Sequence, residues 1–246
     1  MTQDPILSLR GVNAYYDESH ILHDVSFDLF KGEIVGILGR NGVGKTTTLQ
    51  TILGLTRTTG DIDFNGVTIR ACTTSEIVRK GIGWVPQGHR IFPTLSVIEN
   101  LELAALHARP GNWNLGTIYE LFPRLYARRN ARGDVLSGGE QQMLAIARAL
   151  IQNPEVFLMD EPSEGLSPAI VQEVGHLIRR LNREGVSILL VEQKLAFALE
   201  IVDRIIIMNK GAVVYSGKPA DIAHDPDIGV RFLGMGVTSE REDGAG

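Results

Sequence analysis

Gly39-Arg40-Asn41-Gly42-Val43-Gly44-Lys45-Thr46 reads G-x-x-x-x-G-K-T; it follows the apolar run Ile34-Val35-Gly36-Ile37-Leu38 and opens a segment, residues 47–53, of helical character. In such a loop glycines let the chain wind back so that successive backbone N–H groups point at a β-phosphate, while the lysine bridges β- and γ-phosphates and the threonine ligates Mg²⁺. A plain glycine turn between strand and helix accounts for the glycines but not for Lys45-Thr46. A buried strand before the loop and a helix after it are the setting the chemistry requires. The expectation is therefore a nucleoside triphosphate held by Gly39, Arg40, Asn41, Gly42, Val43, Gly44, Lys45, Thr46 and Thr47.

Outward from this loop, residues 6–12, 25–29 and 34–38 read as strands, with turn signals at Lys31-Gly32 and Asn65-Gly66. They predict an antiparallel β edge grafted onto a parallel core. At Ser96 the pattern changes to a helical period, with Ser96 and Glu99 as a capping box ahead of Val97, Ile98 and Leu101. A helical insert of about residues 88–135 follows, broken at Pro110-Gly111-Asn112. A helix from Gly138 to Leu150 then leads into Val156-Phe157-Leu158-Met159-Asp160, a continuous apolar run ending in carboxylates, as buried parallel strands do. Ser167-Pro168 starts another helix, and residues 187–191 form another buried strand. Strands alternating with helices predict an α/β fold with a mainly parallel sheet and active groups at the strands' carboxyl ends. One domain over residues 5–235 is expected, with a frayed tail at 236–246.

The bulk properties exclude other classes. A net charge of −5 and pI near 5.7 argue against sequence-independent nucleic-acid binding, which needs an excess of lysine and arginine. The longest apolar runs fall far below the roughly 20 residues of a bilayer span. The start, Met1-Thr2-Gln3-Asp4-Pro5, has neither the basic flank nor the apolar stretch of a secretory signal, so cytoplasmic residence is expected. The lone Cys72 is read as a reduced, structurally neutral thiol.

Asp160-Glu161, at the end of a buried strand, supplies what a phosphate-loop ATPase needs next: Asp160 to hold Mg²⁺ through water, and Glu161 to orient or deprotonate the attacking water, a role worth roughly 10²–10⁴ in rate. The bland alternative is an acidic turn broken by Pro162.

Leu136-Ser137-Gly138-Gly139-Glu140-Gln141-Gln142 resembles the signature of ABC-transporter ATPases, and with it the chain is similar to that family over residues 7–217. Physically the motif is a serine and two glycines at a helix N-terminus, an anion site in waiting. The resemblance implies that Ser137, Gly138, Gly139 and Glu140 serve the ATP held on a partner subunit, in a heterodimer with a paralogous ATPase or in a homodimer. Tyr16 resembles the aromatic that stacks on adenine; Tyr15 competes, and the spacing to Gly39 favours Tyr16. Gln87 looks like the glutamine that touches Mg²⁺ and the water and reports to membrane-spanning permease subunits. The metal set implied is Thr46, Gln87 and Asp160, and the catalytic set Lys45, Glu161 and Gln193. Ser167 stands where many members carry aspartate.

Gln193 departs from the family pattern, because the switch histidine expected after the last core strand is absent in Leu190-Val191-Glu192-Gln193. Glutamine can donate a hydrogen bond to a γ-phosphate but cannot carry a proton charge near pH 7. His20, His23, His89, His107, His176 and His224 stand elsewhere and read as surface or loop residues. A Glu-Gln pair resembles the second ATPase subunit of branched-chain amino acid importers and its relative in urea and short-amide importers, and residues 39–44 and 85–88 lean towards the latter. Such systems imply ATP and Mg²⁺ as cofactors, a periplasmic solute-binding protein as indirect partner, and a peripheral place on the cytoplasmic face of the inner membrane. An exporter ATPase and a soluble nucleic-acid-associated ATPase are the competing classes; a regulatory GTPase would need Asn-Lys-x-Asp, and Asn209-Lys210-Gly211-Ala212 lacks the aspartate.

Overall fold

The computed structural model describes residues 4–224, and the tail expected at 236–246 lies outside the described residues. Two sheets face each other across one helix. Four antiparallel strands, β1 (Leu7–Tyr16), β2 (Ser19–Leu29), β4 (Arg57–Phe64) and β5 (Val67–Thr68), form a sheet in the order β2-β1-β4-β5. A six-stranded sheet runs β10-β9-β3-β8-β7-β6, from β3 (Ile34–Leu38), β6 (Ile82–Val85), β7 (Val156–Asp160), β8 (Ser187–Glu192), β9 (Arg204–Asn209) and β10 (Ala212–Gly217). All its pairings are parallel except that of β10 with β9.

Its central strands are buried throughout and alternate between two cores, as period-two side chains must. Phe157, Met159, Ile188 and Leu190 face the helices α3 (Val97–Ala105), α6 (Gly138–Leu150), α7 (Pro168–Arg183) and α8 (Leu195–Ile201). Val156, Leu158, Leu189 and Val191 face the other way, into a core shared with α1 (Lys45–Ile52) and the antiparallel sheet. The β edge expected in the sequence is thus a sheet of its own. Strand β3 already has β8 on one side and β9 on the other, so no edge is left beside it for the hairpin strands.

Local signals set several boundaries. Asn65 and Gly66 both adopt positive φ (52° and 72°), the requirement of a two-residue hairpin between β4 and β5. Strand β1 extends past Val12 to Tyr16 because bulges reset its alternation, one of them at Gly11 with φ 58°. Helix α1 begins at Lys45, two residues before the segment read from the sequence, since Gly44 at φ 105° turns the loop directly into its first turn. Ser96 and Glu99 form the expected capping box: Ser96 N–H donates to Glu99 Oε2 at 2.7 Å, and Glu99 N–H donates back to Ser96 Oγ at 3.3 Å. Ser167 takes the N-cap position of α7, but its side chain makes no cap hydrogen bond.

Candidate active site

The loop of residues 39–44 joins the carboxyl end of β3 to α1, which puts the first helical N–H groups at its mouth. Gly39 is dictated by packing: a Cβ there would lie 2.6 Å from the Met208 carbonyl. Lys45 is 5% exposed and folds back over the loop, donating to the Gly39 carbonyl at 3.0 Å and the Arg40 carbonyl at 3.3 Å. Its Nζ also stands 3.4 Å from Glu161 Oε1. The phosphate-loop lysine is thus parked on the carboxylate read as the base.

Thr46 Oγ1 donates to Asp160 Oδ1 at 2.9 Å, joining α1 to the end of β7. Asp160 is 2% exposed, and burial pushes its pKa up to about 6, with the Glu161 charge adding to the rise and the Thr46 hydrogen bond opposing it. Glu161 follows at φ 47°, a left-handed conformation rare for a side-chain-bearing residue, and its N–H donates to the Val191 carbonyl at 2.9 Å. That turn swings consecutive carboxylates apart: Asp160 into the protein, Glu161 towards Lys45.

A cleft of about 420 Å³ brings Tyr16, Asn41, Gly42, Gly44, Lys45, Thr46, Thr47, Gln87 and Glu161 together, with Ile21 and Glu164. Tyr16 hydrogen-bonds through its hydroxyl to Gln50 Oε1 of α1. Tyr15 turns away and stacks on His20, ring centroids 4.4 Å apart, under the Arg57 guanidinium. Of the two tyrosines only Tyr16 borders this cleft. Gln87 Nε2 donates to Glu164 Oε2 at 2.7 Å, a tie between the segment after β6 and the loop after β7 that the sequence did not signal.

Two expected groups stand apart from the cleft. Ser137, Gly139 and Glu140 line a different cavity, with Met143 of α6 and Ile170 of α7. There Ser137 caps α6: its N–H and hydroxyl both donate to Glu140 Oε2, at 2.8 and 3.0 Å. A carboxylate of the same helical turn thus occupies both donors. Gln193 is exposed and lines a groove of about 920 Å³ between α7 and α8, which contains no phosphate-loop residue. Of the histidines, His20 Nε2 lies 3.0 Å from Asn13 Oδ1, and His89 Nδ1 lies 2.6 Å from Oε1 of the buried Gln142 on α6. Sequence reasoning used Glu192 only as half of the Glu-Gln pair; it is 1% exposed at the end of β8 and accepts the Ser163 N–H at 3.1 Å. Its acidic character directly after the apolar run Ile188 to Val191 was the available signal.

A phosphate loop beneath a Thr46–Asp160 contact, with an acid at the next position, defines a nucleoside triphosphatase of the phosphate-loop class. The family model for ABC transporters matches residues 22–164, and the chain belongs to that family as an ATP-binding subunit whose ATPase activity is coupled to transport. It is 40% identical over 232 residues to the high-affinity branched-chain amino acid transport ATP-binding protein BraG of Pseudomonas aeruginosa, covering 93% of this chain and 100% of that one. A probable branched-chain amino acid transport ATP-binding protein LivF of Archaeoglobus fulgidus is 37% identical over 210 residues, 84% of this chain and 89% of that one. The lipopolysaccharide export system ATP-binding protein LptB of Escherichia coli is 33% identical over 234 residues, covering 93% and 97%. Among solved structures, a nucleotide-free ATP-binding cassette of an ABC transporter superposes with a TM-score of 0.82 at 25% identity, over 95% of this chain and all of that one.

Proposed function

We propose that this chain is one of two ATPase subunits of an importer for branched-chain amino acids, seated on the cytoplasmic face of the membrane against permease subunits and fed by a periplasmic solute-binding protein. The observation that carries the reading is the end-to-end match to BraG. Among the described residues no helix is long and apolar enough to cross a membrane, in keeping with a solute path that lies on other subunits.

In this reading Lys45 exchanges its loop carbonyls and Glu161 for the β- and γ-phosphates of ATP, freeing Glu161 to hold the attacking water. Gly39 to Thr47 present backbone N–H groups to the phosphates, and Tyr16 stacks on adenine. Thr46 and Asp160 suit Mg²⁺, being a hydroxyl and a carboxylate 2.9 Å apart, hard oxygen donors of the kind that ion takes together with phosphate oxygens. Burial is what raises the Asp160 pKa to about 6, and a cation held there would offset that cost. Mg²⁺ bound there, with Gln87 as further ligand, supplies charge neutralisation of the phosphates. Ser137, Gly138 and Gly139 close on the ATP of the partner subunit, displacing the Glu140 carboxylate from the helix N-terminus.

The insert of about residues 88–135 receives the permease. Support comes from a cleft lined by Phe92, Leu103, His107 and Arg148, in which Phe92 and Leu103 are exposed apolar groups. Gln193 takes the switch position as a neutral donor, so this chain's own ATP site is the slower one in a heterodimer with a histidine-bearing paralogue. An exporter role is the second reading, favoured by the LptB match over nearly the whole chain.

The deciding experiment is uptake of radiolabelled leucine by proteoliposomes holding the complex co-purified with this chain, with its binding protein outside and ATP inside. ATP-dependent accumulation of leucine is expected. Accumulation of urea or acetamide but not leucine would move the substrate to the amide branch, and movement of solute only in the opposite direction would establish the exporter.

A further inference from the structure

Three charged side chains line the cleft of the phosphate loop: Lys45, Glu161 and Glu164. Lys45 and Glu161 face each other at 3.4 Å, whereas among the described residues no ion pair includes Glu164. A cleft suited to a polyanion thus carries an unmatched carboxylate. The turn after β7 brings it there. Glu161 stands at φ 47°, and the Glu164 N–H donates back to the Glu161 carbonyl at 3.0 Å, which closes the turn towards the cleft. Strand β6 pairs in parallel with β7, Val85 beside Met159, so the residues beyond their carboxyl ends are neighbours. Across that gap Gln87 Nε2 donates to Glu164 Oε2 at 2.7 Å.

An ionised carboxylate only accepts hydrogen bonds, so the end of the Gln87 amide that it holds must be the NH₂ group. This leaves Oε1, the atom of the amide able to bind a cation, free of the carboxylate. A serine or an asparagine at residue 164 would both donate and accept, and so would hold either end of the amide. The charge has a second consequence. An unmatched carboxylate repels the phosphates of a nucleotide that enters alone, whereas a divalent cation entering with them removes that penalty.

We propose that Glu164 is a positioning residue for the metal: it fixes which end of the Gln87 amide is available to Mg²⁺, and its charge makes the cleft prefer Mg²⁺–ATP to ATP alone. This rests on the reading of Gln87 as a ligand of Mg²⁺ in an ATP site.

The test measures equilibrium binding of the β,γ-imido analogue of ATP to the full-length chain, once with Mg²⁺ and once in EDTA, so that no turnover enters. Groups that orient a metal ligand are typically worth 10- to 100-fold in metal affinity, so Glu164→Gln should narrow the ratio of the two dissociation constants by about 10-fold or more, through tighter binding in EDTA and weaker binding with Mg²⁺. Glu164→Asp keeps the charge but is one methylene short of Gln87; it should match the parent in EDTA and bind more weakly with Mg²⁺. Glu164 is exposed, and Glu164→Ala serves as a second charge-removing variant, with the same narrowing expected. A ratio unchanged in both Glu164→Gln and Glu164→Ala, or two constants moved by the same factor as a merely structural tie between loops would move them, overturns the proposal. A parent chain that binds the analogue equally well with and without Mg²⁺ would instead refute the metal reading on which it stands, and one that does not bind it at all would refute the nucleotide site.

Discussion

Replacing Asp160 by asparagine should stabilise the nucleotide-free protein at neutral pH. Asp160 is 2% exposed at the end of β7, and burial lifts its pKa from 3.8 to about 6. A group whose pKa rises on folding favours the folded state below its unfolded pKa, and that contribution is lost as the pH climbs through the folded value. The window is therefore pH 4 to 6. At about 1.4 kcal/mol per pH unit, the ionised carboxylate costs up to about 3 kcal/mol at pH 7.5. Asparagine keeps an oxygen to accept the Thr46 hydroxyl, now 2.9 Å from Asp160 Oδ1, and carries no charge. In EDTA without nucleotide, Asp160→Asn should melt higher than the parent at pH 7.5 by about 6–12 °C, with the gap closing towards pH 4. Other titrating groups cancel in the difference between the two proteins. With Asp160 in its proposed role of holding Mg²⁺, Mg²⁺ and ATP should reverse the order. Thermal melts across pH 4–8 decide the matter; an asparagine variant less stable at pH 7.5, or a gap that widens in acid, refutes the reasoning.

Lys45→Ala should lower ATP affinity by about 10- to 150-fold, the worth of roughly 1.5–3 kcal/mol for charged hydrogen bonds, whereas Glu161→Gln should keep ATP bound and slow turnover about 10²–10⁴-fold; equilibrium binding and phosphate release on both variants separate the roles, and wild-type turnover by Glu161→Gln would remove Glu161 as the base. Gly60→Ala should cost roughly 2–4 kcal/mol in urea unfolding without touching the nucleotide site, because Gly60 has φ +89° and a Cβ would stand 2.3 Å from the Gly11 carbonyl oxygen; a change under about 1 kcal/mol would mean that β1 and β4 can part. Phe92 is 42% exposed, with the Arg148 guanidinium 4.4 Å above its ring, so Phe92→Ala should weaken permease association by about 2 kcal/mol or more while the isolated subunit melts within about 3 °C of the parent. A large loss of thermal stability with transport per folded complex unchanged would place Phe92 among packing residues instead.

What the sequence determined by itself was whatever a few neighbouring residues could enforce. The loop from Gly39 to Thr46 was legible because its glycines, lysine and threonine act within eight consecutive positions. The Ser96–Glu99 capping box and the Asn65-Gly66 hairpin were legible for the same reason, and so was the apolar run of β7, Val156 to Met159, whose burial on both faces follows from lying inside a parallel sheet. Tertiary structure decided where distant segments meet. Thr46 reaches Asp160 across 114 residues and Gln87 reaches Glu164 across 77. Tyr15 and Tyr16 are adjacent aromatics in one strand, and only the sheet register sends one against His20 and the other to the cleft. Gln193 was named from its place after β8, yet its side chain lines the groove between α7 and α8, and Glu192, the buried carboxylate that accepts its N–H, counted in the sequence only as half of a Glu-Gln pair. Local motifs are written by steric and hydrogen-bond rules over three or four residues, whereas the partner of a buried polar group is set by the packing of whole strands and helices, which no short window of sequence contains.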